Sequence, residues 1–533
     1  MSEEPAAPRE QIIVDLEPGS EWRFELEADE NIALRVLSPD PVFINSEELP
    51  PATWYPIHRY TKGALYAPTQ SRVEVTSLPA SQYTSTSTIH PQLLNVHLAL
   101  ERNRILAKRH LFGSGSPNGV ERVERGPRVM IMGPPSSGKT TVVKNLVNLA
   151  LSSGMGWTVG VGGLDPSSPS NLIPGTISLS TPSHPLPTHH LAHPFGSPPT
   201  STASNTLSAD IPTVGWWLGG LEPTNRNAEV WKVLIGRMGE DWKKRCERDK
   251  MALASGLIVD SSSAFTNPLL GTKKDDPKAR YTLVSQAVEA FDIDTILVIG
   301  HEKLHIDLSR LPSLQQRGTN VIRIPKSGGV VDIDDTQREL IHSFQIRSYF
   351  YGEPPLPKEL TGLLGKMVSV DGNLNPYSFQ IGWETLVVLR VGEENSAPSS
   401  ALPLGSSRIL SPTRLTRVDP SGPAHVVRLL NTVLAIVDIK PEDRIKPEMP
   451  PKVEEVKAEN GEGEEVKEEQ QEEEEDMEEV PFKEEIGTRE VLGFIVITAI
   501  DTLKKKYTVL SPSPGKLPST VAIAGSIEWV DSA

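Results

Sequence analysis

Residues 133–140, with the sequence GPPSSGKT, constrain this 533-residue chain more than any other segment. They match the pattern G-x-x-x-x-G-K-[ST] at every specified position. An apolar run, residues 129–132, leads into the segment, and a run with helical character, residues 141–147, follows it. The pattern therefore predicts a strand, a phosphate-binding loop and a helix, as in an α/β domain with a parallel sheet.

Each residue type in this loop has a physical role in binding a nucleotide. Glycines permit backbone conformations that turn amide groups toward an anion. Lys139 supplies a positive charge for the β- and γ-phosphates, and the Thr140 hydroxyl suits Mg²⁺. The predicted nucleotide-binding residues of the loop are Gly133, Ser136, Ser137, Gly138, Lys139, Thr140 and Thr141.

A phosphate-binding loop needs an acidic partner for the metal, usually at the end of a neighbouring strand. Asp165 closes the run WTVGVGGLD, and Asp260 closes the run GLIVD. Aspartates at strand ends also cap helices and form turns, so either position has a purely structural explanation as well. We favour Asp165 because it follows the loop sooner, and we predict Thr140 and Asp165 as the metal ligands.

Changes in sequence pattern divide the chain into three predicted domains. Residues 1–108 alternate apolar and polar side chains between turn clusters, which is typical of a small antiparallel β domain. After a linker at 109–126, strand-sized apolar runs alternate with helical stretches over residues 127–352. This alternation indicates a parallel sheet covered on both faces. Residues 353–533 return to short strands and form the predicted C-terminal domain.

The net charge of −16 comes mainly from one segment. Residues 452–479 hold 15 acidic and 3 basic residues, a net of −12, which leaves −4 for the rest of the chain. A glutamate-rich run without aromatic residues buries too little area to offset its ordering entropy, so we predict a disordered insertion. Attraction of a basic partner is the alternative.

The composition also indicates where the protein works. One cysteine, Cys246, excludes a disulfide framework and favours a reducing compartment. The longest apolar run, residues 491–500, is strand-sized, and the acidic start MSEEPAAPRE does not fit a secretory signal. We therefore expect no membrane association.

Several long segments resemble the Clp subunits of the pre-mRNA cleavage complex, known in fungi as cleavage factor IA, a family related to polynucleotide 5′-hydroxyl kinases. The resemblance covers most of the chain. Its segments are EWRFELEADENIALRV, LLNVHLALERNR, ERGPRVMIMGPPSSGKTTV, SNLIPGTIS, IPKSGGVV, IRSYFYG and VLGFIVITAIDTLKKKYTVLSPSPGKLP.

The resemblance implies an N-terminal β-sandwich, a central P-loop domain and a small C-terminal α/β domain. It implies that ATP binds between the first two, with Glu21 near the adenine. Lys62 is the available lysine for a second adenine contact, although the family's Thr-Trp-x-Gly segment lacks its tryptophan here, and an exposed hairpin lysine is the alternative. It further implies a nuclear location and other cleavage-factor subunits docked on the central domain, with RNA contacted weakly or indirectly.

Departures from the family pattern concern catalysis. Active members carry Asp-x-Gly-Gln at the metal aspartate, a tryptophan that clasps RNA, and an arginine-rich lid. This chain has Asp165-Pro166-Ser167-Ser168, places Ala264 at the position of the tryptophan, and keeps Arg338 and Arg347 in the lid. A missing stacking face and fewer cations predict little turnover. We therefore favour an ATP-binding scaffold with no confident catalytic residue.

Two rival functions follow from the same residues. The main alternative is an active polynucleotide 5′-hydroxyl kinase, acting in RNA processing or tRNA splicing, in which Asp165 serves catalysis. A GTPase or motor ATPase is disfavoured because no Asn-Lys-x-Asp motif is present. Trp216 and Trp217 resemble a family stretch beside the RNA channel, and packing in a core or on a partner is the alternative for them.

Overall fold

A computed structural model describes residues 11–113, 123–168, 172–188, 213–272, 279–352, 356–364, 375–392, 413–418, 429–445 and 480–531. The chain divides into two compact units. The first contains residues 1–215, 220–225 and 235–376, and the second contains residues 216–219, 226–234 and 377–533. The predicted acidic insertion at 452–479 lies outside the described residues. In the described part of the chain, no helix has the length and apolar character that a membrane span requires.

The first unit begins with a sandwich of two antiparallel sheets. One sheet has the order β1-β8-β3-β6 and the other β5-β4-β7-β2-β9. The strands are β1 (Ile12–Leu16), β2 (Ser20–Glu25), β3 (Ile32–Val36), β4 (Phe43–Ile44), β5 (Glu47–Glu48), β6 (Trp54–Ile57), β7 (Lys62–Ala67), β8 (Ser71–Val75) and β9 (Ser81–Ser85). Trp22, Phe24 and Leu26, which alternate along the sequence, are buried together between the sheets.

The rest of the first unit is an α/β domain around a seven-stranded sheet. Its strands are β10 (Arg128–Met132), β11 (Gly160–Leu164), β12 (Thr176–Ser180), β13 (Thr213–Trp217), β14 (Leu257–Ser261), β15 (Thr295–Ile299) and β16 (Asn320–Ile324). The helices of the chain are α1 (His90–Phe112), α2 (Lys139–Leu151), α3 (Ala228–Arg248), α4 (Lys250–Ser255), α5 (Thr282–Phe291), α6 (Glu302–Ser309), α7 (Pro312–Arg317), α8 (Asp335–Tyr351) and α9 (Lys358–Leu364). A short 3₁₀ helix, Ser263–Thr266, follows β14.

The order of strands in this sheet determines which side chains meet at its edge. The order is β13-β12-β11-β14-β10-β15-β16, and β11, β14, β10, β15 and β16 pair in parallel. Strand β14 therefore lies between β11 and β10, although it comes much later in the sequence. The carboxyl ends of β10, β11 and β14 lie at the same edge, where open α/β sheets bind ligands.

The sandwich packs on the helix that follows the phosphate loop. Asn45 and Ser46 form the turn between β4 and β5 with φ angles of 47° and 60°, the left-handed conformation that a two-residue hairpin turn requires. The Ser46 hydroxyl donates to Asn145 Oδ1 at 2.6 Å, and the Asn148 amide donates to the Asn45 carbonyl at 2.9 Å. These buried hydrogen bonds fix the sandwich relative to α2.

The second unit is built on a seven-stranded sheet with the order β17-β22-β21-β20-β23-β18-β19. Its strands are β17 (Tyr377–Gly382), β18 (Val387–Val391), β19 (Leu415–Arg417), β20 (Thr432–Val437), β21 (Val491–Asp501), β22 (Lys506–Ser511) and β23 (Val521–Glu528). Short 3₁₀ helices, Pro441–Asp443 and Glu484–Thr488, accompany it. Most neighbouring strands are antiparallel, whereas β18 and β23 are parallel. Apolar side chains, Ile436 and Ile495 among them, form its core.

The predicted fold class is confirmed: a central P-loop domain with a parallel sheet, an N-terminal β-sandwich and a C-terminal sheet domain. The predicted domain boundaries stay predictions. Helix α1 runs past the predicted domain boundary at residue 108. It is attached to the α/β domain, because its buried Arg104 side chain donates to the Ser255 carbonyl at 2.9 Å.

Candidate nucleotide-binding site

The phosphate loop joins the end of β10 to the start of α2. Gly138 is the residue before the helix and has φ of 85°, a conformation that strains any other residue type. Lys139 is the first helical residue, is 7% exposed, and donates from Nζ to the Pro134 carbonyl at 3.2 Å. The amides at the helix N-terminus and the Lys139 ammonium form a positive site.

Thr140 contacts an aspartate on the neighbouring strand. Its hydroxyl donates to Asp260 Oδ2 at 2.6 Å, while the buried Asp260 Oδ1 has no hydrogen-bond partner. The pKa of Asp260 is raised to about 7, chiefly by burial and to a smaller extent by the charge of Asp165, against the opposing effects of Lys139 and the Thr140 hydrogen bond. A buried carboxylate oxygen without a partner indicates a site for a cation.

Asp165 lies just past the end of β11, where the backbone amide and hydroxyl of Ser167 donate to its Oδ1 at 3.2 and 2.8 Å. Burial raises the pKa of Asp165, although Lys139, these hydrogen bonds and Arg338 oppose the shift. The positive charge of Lys139 therefore acts on both aspartates and opposes the rise of their pKa values. The structure brings both candidates to the loop, and the choice of Asp165 as a metal ligand stays a prediction.

Helix α8 contacts the Asp165 turn through His342. The His342 Nε2 atom lies 2.7 Å from the Ser167 carbonyl, and the side chain is buried. Burial lowers the pKa of His342, so the neutral ring is favoured, and a carbonyl partner requires that Nε2 carry the proton. His342 thereby links the lid helix to the turn that holds Asp165.

These residues fit a Mg²⁺–nucleotide pair. Mg²⁺ usually takes one or two protein oxygens and completes its shell with phosphates and water. Asp260 offers an unpaired carboxylate oxygen, and the buried Ser137 hydroxyl also lacks a partner. Within the described ranges, no group of three or more histidine, cysteine, aspartate or glutamate side chains forms a metal cage.

The predicted adenine contacts lie on the sandwich, in strands β2 and β7. Glu21 is buried, and its carboxylate accepts hydrogen bonds from Arg23 Nε at 2.8 Å and from the Thr88 hydroxyl. Lys62 donates to Glu25 at 2.9 Å. Four residues of strand, about 13 Å, separate Glu21 from Glu25, so the two predicted contacts lie at opposite ends of the β2–β7 pair. Both roles stay predictions.

The positions that bear on catalysis differ in their surroundings. Ala264 lies in the 3₁₀ helix after β14 and offers no aromatic face. Arg338 acts on Asp165 through its charge, whereas the Arg347 guanidinium lies 5.0 Å from the centre of the Tyr351 ring. Arg338 therefore lies close enough for its charge to act on the Asp165 carboxylate.

Trp216 and Trp217 are packing residues of the second unit. They are 1% and 3% exposed, and the Trp217 ring centre lies 5.6 Å from that of Phe494. The next residues hydrogen-bond to the same sheet, since the Gly219 carbonyl accepts from the Ser526 amide at 2.6 Å. The structure thus supports the packing interpretation over a place beside an RNA channel.

Two residues around the site were missed by the sequence reasoning. Arg23 holds Glu21 and contacts the segment after β16, and His342 holds the Asp165 turn. No sequence signal marked Arg23, because it alternates with the core residues Trp22 and Phe24 and so lies on the opposite face of β2, where charged residues are usually exposed. His342 lies in helix α8, and a single histidine there gave no signal either.

The fold and the loop together define a class: P-loop proteins with a nucleotide-binding site at the edge of a parallel sheet. Three family models match segments of this chain. The N-terminal beta-sandwich domain of polyadenylation factor matches residues 15–107, the mRNA cleavage and polyadenylation factor CLP1 P-loop matches residues 133–352, and the Pre-mRNA cleavage complex II protein Clp1 matches residues 374–531.

Curated relatives agree over nearly the whole chain. The mRNA cleavage and polyadenylation factor CLP1 of Cryptococcus neoformans var. neoformans serotype D is 69% identical over 98% of this chain and 98% of its own. The protein of the same name from Laccaria bicolor is 34% identical, covering 96% and 97%. The chain belongs to the CLP1 family of mRNA cleavage and polyadenylation factors.

A solved structure of a wild-type Clp1p–Pcf11p complex has a similar fold. It aligns with a TM-score of 0.69 at 22% identity and covers 98% of this chain and 99% of that one. A second solved structure describes an extended interface between Pcf11p and Clp1p and the basis for ATP loss in a point mutant. It aligns with a TM-score of 0.68 at 20% identity and covers 98% of this chain and 100% of that one.

Proposed function

We propose that this protein is an ATP-binding scaffold subunit of the nuclear machinery that cleaves and polyadenylates pre-mRNA 3′ ends, without kinase turnover. Membership of the CLP1 family supports the process, and the names of the relatives supply the cleavage and polyadenylation role. The nuclear location follows from where pre-mRNA is processed. The solved structures that pair Clp1p with Pcf11p support docking of another cleavage-factor subunit, which we place on the central domain.

The observation that carries ATP binding is the unpaired Asp260 Oδ1 next to Thr140 at the end of the loop. A buried, unpaired carboxylate oxygen costs stability unless a cation or proton occupies it. Mg²⁺ bound to a triphosphate supplies that charge, with Thr140 and Asp165 as the predicted ligands and Asp260 beside them. Bound nucleotide therefore stabilises the folded chain by mass action.

Adenine recognition is proposed at the sandwich, through Glu21 and, at the far end of the same strand pair, Lys62. Because Arg23 and Thr88 already occupy the Glu21 carboxylate, an adenine amino group must share it or displace the Thr88 hydroxyl. The Thr88 bond to the carboxylate is charge-assisted and contributes about 1.5–3 kcal/mol net, so the adenine contact must replace a bond of that strength.

The lack of turnover rests on what surrounds the loop. A kinase must hold the RNA 5′ end next to the γ-phosphate, and Ala264 cannot stack a base. Trp216 and Trp217, which resemble the family stretch beside the RNA channel, are buried in the second unit. Loss of a transition-state cation alone costs about 10³–10⁵ in rate. The alternative is an active 5′-hydroxyl kinase, which the RNA-labelling assay described next tests.

One purified preparation tests both parts of this proposal. Denaturation of the protein is expected to release ATP and no other nucleotide in comparable amount. Incubation with γ-labelled ATP and a 5′-hydroxyl RNA is expected to label the RNA no faster than the Lys139→Ala variant does. Labelling well above that variant would establish the kinase instead, and absence of nucleotide together with no binding on addition of Mg²⁺-ATP would overturn the binding proposal.

The assembly part needs a separate measurement. The tagged full chain, isolated from nuclear extract, is expected to retain other subunits of the cleavage machinery at stoichiometric levels. A chain that is found outside the nucleus, or that purifies alone under low salt, contradicts this part and leaves the nucleotide site unaffected.

A further inference from the structure

Residues 327–333, here called the strap, follow β16 and lie against the phosphate loop. A Cβ atom placed on Gly138 would lie 3.0 Å from Val330 Cγ2, so the Val330 side chain covers that glycine. At the end of the strap, the Ile333 amide donates to the Ser136 hydroxyl at 3.3 Å. The strap therefore contacts the loop at two of its predicted nucleotide-binding residues.

The strap also contacts the sandwich, at Arg23. A Cβ atom on Gly329 would lie 2.7 Å from Arg23 Nε and 2.8 Å from Arg23 Cδ, distances that no side chain can occupy. At Gly328 the nearest Arg23 atom is 3.5 Å away, which is ordinary van der Waals contact. Gly329 is not among the glycines with positive φ. This position therefore needs a glycine because of Arg23, not because of its backbone conformation.

Arg23 is held rigidly enough to act as a stop for the strap. Its guanidinium pairs with Glu21 at 2.7 Å and donates to the Ser87 carbonyl, and Tyr83 accepts at 3.4 Å. The side chain is 6% exposed. A buried, planar guanidinium with several fixed partners keeps one orientation, and its edge faces the Gly329 backbone.

We propose that Arg23 is a positioning residue that holds the strap closed over the phosphate loop, so that the N-terminal sandwich controls how fast nucleotide leaves. The kinetic consequence rests on the proposed ATP binding, whereas the contact between Arg23 and the strap does not. The chain offers a matched pair of substitutions, Gly329→Ala and Gly328→Ala, which add the same methyl group at adjacent positions with different neighbours.

Hydrogen exchange of the strap, followed by mass spectrometry on the full chain without nucleotide, tests the contact itself. Gly329→Ala is expected to raise exchange in the peptide containing the Val330 and Ile333 amides by about tenfold, because the strap lifts from the loop. Gly328→Ala is expected to stay within about twofold of the parent chain. Arg23→Lys keeps a charge beside Glu21 and loses the planar head, so it is expected to raise strap exchange as well.

The double variant Gly329→Ala/Arg23→Lys separates this proposal from general loosening. If both changes break one contact, the double variant exchanges no faster than the more affected single variant. Additive effects, or equal exchange in Gly329→Ala and Gly328→Ala, would refute the contact. Thermal unfolding of each variant shows whether the sandwich has unfolded instead.

The second readout is the dissociation rate of a fluorescent ATP analogue. We expect dissociation about tenfold faster in Gly329→Ala than in Gly328→Ala. If the parent chain binds no analogue, the proposed function fails while the exchange data still decide the contact. If strap exchange rises and dissociation does not change, the strap is not a barrier to nucleotide and the proposal is wrong.

Discussion

The ends of β11 and β14 carry the same chemical group in two different situations. Asp260 at the end of β14 contacts Thr140 directly and keeps one oxygen without a partner. Asp165 after β11 uses its Oδ1 atom to organise its own turn through Ser167, which in turn contacts His342. Asp260 thus presents a buried oxygen without a partner, whereas one oxygen of Asp165 is engaged in the turn that contacts α8.

Sheet order explains the difference better than chain order does. β14 is hydrogen-bonded to β10, and Asp260 pairs in register with Ile131, close to the start of the loop. β11 lies one strand further out and pairs with β14. An aspartate that follows the loop soon in the sequence can therefore be further from it in space than one that comes about a hundred residues later.

The largest expected effect comes from removing the Lys139 ammonium, whose positive charge acts on both aspartates. Lys139→Ala should weaken ATP binding by about a hundredfold, because it removes a charge-assisted contact from a buried phosphate site. Calorimetric titration with Mg²⁺-ATP measures the loss. Lys244→Ala, on the part of α3 that packs at the amino-terminal end of β11, serves as the control, and similar affinities in the two variants would mean that the nucleotide binds elsewhere.

The comparison itself is tested by two isosteric substitutions. Asp260→Asn is expected to weaken Mg²⁺-dependent ATP binding by about thirtyfold, and Asp165→Asn by about fivefold, because Asp260 contacts Thr140 and presents a buried oxygen without a partner. Titrations with and without Mg²⁺ isolate the metal-dependent part. The reverse order would make Asp165 the principal metal ligand, as the sequence alone predicted.

Much of the fold was accessible from sequence because apolar runs mark buried strands directly. The apolar runs of the predicted α/β domain, at 129–132, 158–164, 256–260, 295–299 and 321–324, overlap strands β10, β11, β14, β15 and β16, with ends that differ by at most two residues. Buried parallel strands need apolar side chains on both faces, so their pattern survives without knowledge of the tertiary contacts. The strand order was not accessible, because it depends on crossovers that the local pattern does not encode.

The site was predictable only where the backbone conformation fixes the chemistry. The loop carries its own signal, since Gly138 must adopt positive φ and Lys139 must begin the helix. The contacts of Arg23 with Gly329 and of His342 with Ser167 join residues about 300 and 175 positions apart. Such pairs depend on how the sandwich, the strap and the lid helix pack, and a single sequence does not show that packing.

The buried aspartate at the end of β14 also predicts a pH dependence of stability. Because burial raises the pKa of Asp260 to about 7, the folded chain binds a proton that the unfolded chain releases near pH 4. Folding stability without nucleotide should therefore fall as pH rises from about 4 to about 7. Relative to Asp260→Asn, the parent chain should lose about 1–2 kcal/mol over the upper two pH units.

Denaturant unfolding at several pH values measures this difference, with the asparagine variant as the reference for all other titrating groups. Saturating Mg²⁺-ATP should remove the slope, because the bound cation favours the ionised carboxylate. A parent chain whose stability follows that of Asp260→Asn at every pH would show that Asp260 is ionised in the folded protein and already has a counter-charge.

The smallest expected effect concerns the other strand end, through His342. His342→Ala should cost about 1 kcal/mol of stability and weaken ATP binding about twofold, because it removes one buried hydrogen bond to the Ser167 carbonyl. His342→Gln keeps an N–H donor and should recover most of the stability and most of the ATP binding.

The pH dependence that His342 contributes to stability has the opposite sign to that of Asp260. Burial lowers the pKa of His342, so its contribution to stability is lost as pH falls below about 6.5, and the glutamine variant should not show that loss. If His342→Ala were to weaken ATP binding as much as Asp260→Asn does, the Asp165 turn would be as important for the cation as the end of β14, and the distinction between the two aspartates would not hold.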